Sequence, residues 1–165
     1  MARRVFFSFN YERDYTRAAI VRDSWVGSDK HAIGFWDAAI WAEANRRGAE
    51  IVKKMILREL SNTSATVVLI GSDTVRNQWV NLAIVESYKQ NHALLAVHIN
   101  KITDVKGGIE KRGDNPFDYI YINNPDGSVS YFSKMYLTYD YMDQNGFLDM
   151  GKWIEFSAQR IEKQK

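Results

Sequence analysis

The stretch Thr66-Val67-Val68-Leu69-Ile70-Gly71-Ser72-Asp73, with Asn77-Gln78-Trp79-Val80-Asn81-Leu82-Ala83-Ile84-Val85-Glu86 behind it, decides the fold. Its first part is a short β-branched apolar run ending in turn residues. That is the pattern of a strand buried on both faces, typical of the centre of a parallel sheet. In its second part Trp79, Val80, Ala83, Ile84 and Tyr88 recur at the spacing of one helix face, and Asn77 stands where an N-cap belongs. Strand, polar turn and helix make half of a βαβ unit. Ligands of such sheets bind at the C-terminal strand ends beside helix N-termini, so the turn 71–77 and the first turns of its helix are the expected place for chemistry.

The same alternation extends outward. Val5-Phe6-Phe7-Ser8-Phe9 predicts a strand, and Ala18, Val21 and Trp25 mark the helix after it, which Gly27-Ser28-Asp29-Lys30 ends. Gly34-Phe35-Trp36 predicts a second, weaker strand with Asp37 at its end. Ile51, Val52, Met55, Ile56 and Leu60 predict the next helix, and residues 94–99 a fourth strand. The order βαβαβαβ implies a parallel sheet covered by helices on both faces. Residues 101–118 are charged and glycine-containing and read as a long surface loop. Residues 119–132 read as a hairpin turning at Asn123-Asn124-Pro125-Asp126-Gly127, residues 136–147 are rich in aromatics, and a last helix is expected from Asp149 as N-cap.

At 165 residues, with 45% apolar and 25% charged content, the chain suits a single domain, 1–165, with a sizeable core. A net charge of +2 without a basic stripe argues against nucleic acid as a partner. The absence of cysteine excludes disulfides and thiolate chemistry. No apolar run reaches the ~18 residues of a membrane span, and Met1-Ala2-Arg3-Arg4 lacks the features of a signal peptide, so a cytoplasmic protein without membrane association is expected. His31, His92 and His98 are too far apart for a metal-ligand motif. A nucleophile elbow, a P-loop and a dinucleotide glycine fingerprint are all missing.

Each remaining candidate carries a plain structural alternative. Ser8-Phe9-Asn10-Tyr11 offers backbone N–H groups for a phosphate and a ring for a base, or simply a strand end with a capping Asn. Asp37 would bind a ribose hydroxyl or cap a helix. Ser72 and Asp73 would line a site or close a turn. Trp79 is a wall of a nucleotide pocket or a core residue. Ala83 lies one turn beyond it on the same face. Glu86 returns to that face about 10 Å along the axis and reads as a solvated surface glutamate.

These residues also match a family. Arg4-Val5-Phe6-Phe7-Ser8-Phe9-Asn10-Tyr11, Trp36-Asp37-Ala38-Ala39-Ile40-Trp41, Asn62-Thr63-Ser64 before the central strand, Asn115-Pro116-Phe117-Asp118-Tyr119, and the ending from Tyr139-Asp140-Tyr141 to Trp153-Ile154 resemble TIR-like proteins of bacterial Thoeris antiphage defence. In order, these motifs span nearly the whole chain, though His is common in that family where Asn10 stands here. The resemblance implies an α/β fold of flavodoxin-like, TIR-like type with about five mainly parallel strands. It implies an enzyme that needs no cofactor and takes NAD as substrate. That enzyme cleaves nicotinamide from ribose and makes a cyclic ADP-ribose-type messenger for a partner effector. Ser8, Phe9, Asn10 and Tyr11 would line the nucleotide site, Asp37 and Ser72 would contact ribose or phosphate, and Trp79 would form a wall. In TIR enzymes a Trp-x-x-x-Glu motif supplies the catalytic glutamate. Here Trp79-Val80-Asn81-Leu82-Ala83 places alanine at that position, which predicts an inactive chain. A natural pseudoenzyme and a chain altered by the customary Glu→Ala change both account for it, and the intact remainder of the motif set favours the second. Two other classes stand beside the enzyme. One is a non-catalytic TIR-like scaffold acting by self-association into a homo-oligomer. The other is a response-regulator-like nucleotide-binding domain, for which only Asp37 and Asp73 are available as strand-end acids.

Overall fold

The computed structural model describes residues 3–25, 31–33 and 35–163. Strand β1 (Arg4–Ser8) leads into helix α1 (Tyr11–Trp25), whose Ala18, Val21 and Trp25 are buried as the stripe predicts. The predicted end of this helix at 27–30 lies outside the described residues, as do Met1, Ala2 and Gly34. Strand β2 (His31–Ile33) precedes the predicted 34–36 segment, and Phe35 and Trp36 belong to no strand. Their rings instead turn onto the aromatic residues around Tyr11, Phe35 at 6.2 Å and Trp36 at 6.2 Å.

Asp37 ends no strand either. It caps helix α2 (Ala38–Arg47), an element that periodicity did not reveal. Gly48, at φ +122°, closes α2 and opens helix α3 (Ala49–Leu60), a sharp redirection that only glycine adopts without strain. Strand β3 (Ala65–Ile70) and strand β4 (Ala93–His98) are buried at every residue. Between them runs helix α4 (Gln78–Lys89), whose N-cap Asn77 accepts from the backbone N–H of Trp79 and Val80 at 2.9 and 3.1 Å.

The predicted hairpin forms from β5 (Tyr121–Asn123) and β6 (Val129–Tyr131), antiparallel and separate from the main sheet. A short helix α5 (Phe132–Met135) leads to β7 (Thr138–Asp140), an edge strand hidden in the aromatic-rich segment. The last helix, α6 (Gly146–Lys163), begins before Asp149. Gly146 packs so closely on Tyr141 that a Cβ there would lie 2.2 Å from the ring, and Asp149 falls in the first turn instead of capping it.

The main sheet is parallel throughout, in the order β2-β1-β3-β4-β7, with β3 at its centre. Alternate residues of β3 divide the core. Val67 and Leu69 join the face packed by α1 and α6, while Val68 and Ile70 join a smaller core with Val80, Ile84, Phe117 and Phe132. The order reverses direction between β1 and β3, which is the topological switch point where such folds place a ligand. Residues 101–118 are more than a surface loop. Val105 and Ile109 are exposed, but Ile102 and Phe117 are buried, and Gly113 lies so close to the backbone of Gly71 that a Cβ would sit 2.0 Å from its carbonyl oxygen. Among the described residues no helix is long and apolar enough to cross a membrane.

Candidate functional site

Two adjoining neighbourhoods occupy the C-terminal strand edge around the switch point. The first is aromatic. The end of β1 brings Ser8, Phe9 and Tyr11 against Trp79 of α4 and against Phe6, Trp36, Trp41 and Ile56, around a recess of about 10 Å³. That is room for about one water molecule. The rings fill the recess themselves. Tyr11 stacks on Phe9 at 4.1 Å and on Trp41 at 4.3 Å with an interplanar angle of 11°. The Tyr11 hydroxyl accepts from the Trp36 backbone N–H at 2.9 Å. Burial pushes the Tyr11 phenol well above its usual range, so it stays protonated.

Four of the eight predicted site residues meet here: Ser8, Phe9, Tyr11 and Trp79. The other four do not line the recess. Asn10 caps α1, accepting from the N–H of Glu12 and Arg13 at 3.1 and 3.3 Å. Asp37 is exposed and accepts from the Ala39 N–H at 2.8 Å as the cap of α2. Ser72 belongs to the second neighbourhood. Ala83 has no exposure, is packed into the core, and its carbonyl accepts from the Ser87 hydroxyl at 2.6 Å. A cleft formed by all of these residues together is therefore not what the fold builds. Capping occupies the Asn10 side-chain oxygen and one of the two Asp37 carboxylate oxygens. Glu86 is also placed differently from a solvated glutamate: its side chain is only 23% exposed and pairs with Lys89 at 3.5 Å.

The second neighbourhood is ionic and escaped the sequence reading. Arg17, 3% exposed, donates to the carbonyls of Ile102 and Gly108 at 2.7 and 3.1 Å. It also faces Glu110 at 3.5 Å and Asp104 at 3.6 Å. Glu110 accepts from the Ser72 hydroxyl at 2.7 Å, and Ser72 accepts from Arg13 at 3.1 Å. Beneath them Asp14 is 1% exposed, and neither of its carboxylate oxygens has a protein hydrogen-bond partner. Gly71 lets it in, since a Cβ there would lie 2.2 Å from an Asp14 oxygen. Burial first, and then the negative charge of Glu110, push the Asp14 carboxyl up to about 6, against the pull of Arg17 and Arg13. The acids near the strand ends are thus Asp14, unpaired and buried, and Glu110, paired with Arg13 and Arg17, and not Asp37 and Asp73 alone. The partners of Arg17 lie 85 and 91 residues away, a separation that no local pattern reveals.

A wider concavity lies elsewhere. An open groove of about 770 Å³ runs along the outer face of α2 and α3, floored by Ile40, Ile51 and Met55. It shares no lining residue with the aromatic recess and resembles an unpartnered helix face.

Comparison with known proteins bears on this arrangement. Residues 6–104, more than half of the chain, match the family model described as Thoeris protein ThsB, TIR-like domain. That span runs from β1 past the end of β4 and so includes both neighbourhoods up to residue 104. The chain is 40% identical over 131 residues to ThsB1 of Bacillus cereus (strain MSX-D12), which carries the provisional name cyclic ADP-D-ribose synthase. The match covers 77% of this chain and 68% of that protein.

Proposed function

Because this chain belongs to the TIR-like ThsB family of Thoeris proteins, we propose that it processes NAD. The reaction breaks the bond between nicotinamide and ribose. An internal nucleophile of the ADP-ribosyl group then forms the new bond at the anomeric carbon and gives up its proton. The products are nicotinamide and a cyclic ADP-ribose-type messenger, which acts on a partner effector. The observation that carries this reading is the meeting of Ser8, Phe9, Tyr11 and Trp79 in one recess at the β1/β3 switch point. We propose that these rings form a wall that parts to admit a flat base, since the recess as it stands holds about one water.

The catalytic carboxylate is assigned to Glu86 and not to position 83. Ala83 carries no ionisable group and is enclosed in the core, so the carboxylate must come from another residue. Glu86 is the one acid of α4, it shares a face with Trp79, and it is three-quarters buried. Glu86 does not line the recess and takes this role on its shared face with Trp79: a carboxylate that reached the ribose would hold its hydroxyls and offset the positive charge that builds as nicotinamide leaves. The test is nicotinamide release from NAD, with the products identified by mass spectrometry, for the chain as given, Glu86→Gln and Ala83→Glu. Turnover by the chain as given, lost in Glu86→Gln, is the expected outcome. No release by the chain as given, with NAD bound, would overturn it.

One observation favours a second reading, self-association without catalysis. Phe147, Leu148 and Phe156 of α6 are 67%, 68% and 52% exposed, although Tyr141, against which the start of the same helix packs, is buried. Concentration-dependent sedimentation of the chain and of Leu148→Glu separates this reading from the first.

A further inference from the structure

At the opposite edge of the sheet, where β4 begins, the C-terminal half of α6 and the end of α5 enclose a pocket of about 200 Å³ that the proposed NAD chemistry does not use. Ser157, Arg160 and Ile161 project from one face of α6 at i, i+3 and i+4. Lys134 and Tyr136 face them across the pocket, with Leu94 at its base. Arg160 donates one bond, at 3.3 Å, to the carbonyl of Met135, which fixes the guanidinium beside the pocket and leaves its other N–H groups free. Among the described residues neither Arg160 nor Lys134 pairs with a carboxylate, and no acid lines the pocket. The Ser157 hydroxyl lies on a residue 4% exposed and has no protein partner.

Every polar side chain of the pocket therefore brings a donor, two of them with full positive charge. The complement of that set is a group with several acceptor oxygens and negative charge, and a guanidinium matches a phosphoryl group with two parallel bonds. A buried hydroxyl without a partner costs free energy, and a ligand oxygen relieves that cost. The volume falls below the ~300–1,000 Å³ of pockets that hold a whole drug-sized ligand, so the phosphoryl group enters with at most its nearest substituent. We propose that this pocket is a phosphoryl-binding site, formed by Lys134, Tyr136, Ser157 and Arg160, on the edge of the sheet opposite the NAD site. Its occupant cross-links α6 to the segment that leads into β7.

Calorimetric titration of the full chain with sodium phosphate, at constant ionic strength set with chloride, tests this directly. Saturable binding is expected, weakened at least tenfold in K134Q and in R160Q and severalfold in S157A. K134Q alters an exposed side chain and keeps the fold, so it remains decisive if R160Q does not fold. Adenosine monophosphate serves as the second probe. Tighter binding than inorganic phosphate, abolished by K134Q, identifies a phosphomonoester as the source, and equal or weaker binding identifies free phosphate. Phosphate affinity unchanged in both K134Q and S157A would overturn the proposal, as would the absence of saturation in the unmodified chain. Nicotinamide release from NAD by K134Q is expected to match the unmodified chain, so failure of this site and failure of the NAD reading are told apart.

Discussion

Position 83 illustrates how one residue's surroundings decide what its chemistry can be. Ala83 is wholly enclosed, so Ala83→Glu would force a carboxylate and two methylenes into filled space. Desolvation and overpacking together cost about 3 kcal/mol or more. The expected result is a lower denaturation midpoint with no gain in nicotinamide release. A stable Ala83→Glu protein with raised turnover would restore position 83 as the catalytic one. Glu86→Gln keeps shape and removes charge, and it is expected to lower release by about a hundredfold, roughly 3 kcal/mol of transition-state stabilisation. Two buried groups give the fold an unusual acid response. Asp14, raised to about 6, keeps its proton in the fold where the unfolded chain has lost it, so between pH 3.8 and about 6 its contribution to stability falls as pH rises. His98, lowered to about 4 by burial and then by Arg112, stays neutral in the fold where the unfolded chain is protonated. Its contribution rises with pH between about 4 and 6.5. Each effect amounts to about 3 kcal/mol and they oppose one another across the same window. His92, also lowered by burial, adds to the His98 side. Asp14→Asn removes one of the two opposing effects. Its stability, measured by urea unfolding from pH 4.5 to 6.5, is expected to climb with pH while that of the parent stays nearly level. Parallel curves for the two proteins would refute the assignment to Asp14.

At the scale of elements, caps and a clamp hold the site's edge together. Asn77 accepts two N–H bonds at the start of α4, and Asn77→Ala is expected to cost about 1 kcal/mol by chemical denaturation. The clamp is Arg17, which reaches from α1 to the backbone of the loop after β4. Arg17→Met keeps the stem's packing and removes the donors. Amide exchange is expected to accelerate across residues 101–112 with little change in β3 and β4, since local opening follows the weakest set of bonds. Uniform acceleration over the sheet would mean that Arg17 supports the whole fold instead. The two glycines of this edge differ. A Cβ at Gly71 meets the Asp14 side chain, whereas one at Gly113 meets the backbone of Gly71 and Ser72. Gly113→Ala is therefore expected to be the more destabilising of the two, because backbone yields less readily than a side chain.

For the molecule as a whole, the buried residues form two cores, and the smaller one depends on residues between β4 and β7. Phe117 and Phe132 seal it at 0% and 2% exposure, 6.3 Å apart. Phe117→Ala is expected to cost about 3–5 kcal/mol in a single cooperative transition. A separate early transition would make the hairpin segment an independent unit. Much of this architecture was legible in the residues themselves. The runs of β3 and β4, apolar but for Thr66 and His98, read as strands covered on both faces, the stripes of α1, α3 and α4 read as faces turned to a core, and the parallel order follows from helices between strands. The aromatic neighbourhood was legible in part, because Ser8, Phe9 and Tyr11 stand at the end of β1 and Trp79 in the first turn of the helix that follows β3. Position in the chain alone could not place β2 or β7, which are three residues each, too short to display a period. Nor could it show that Asn10 and Asp37 use their oxygens as caps. The burial of Ala83, the semi-burial of Glu86, the Asp14–Arg17–Glu110 cluster and the pocket at the far edge belong to tertiary structure. Each rests on residues that meet only when separate elements dock, and the free energy of a charge or a cavity depends on that complete surrounding rather than on its neighbours in the chain.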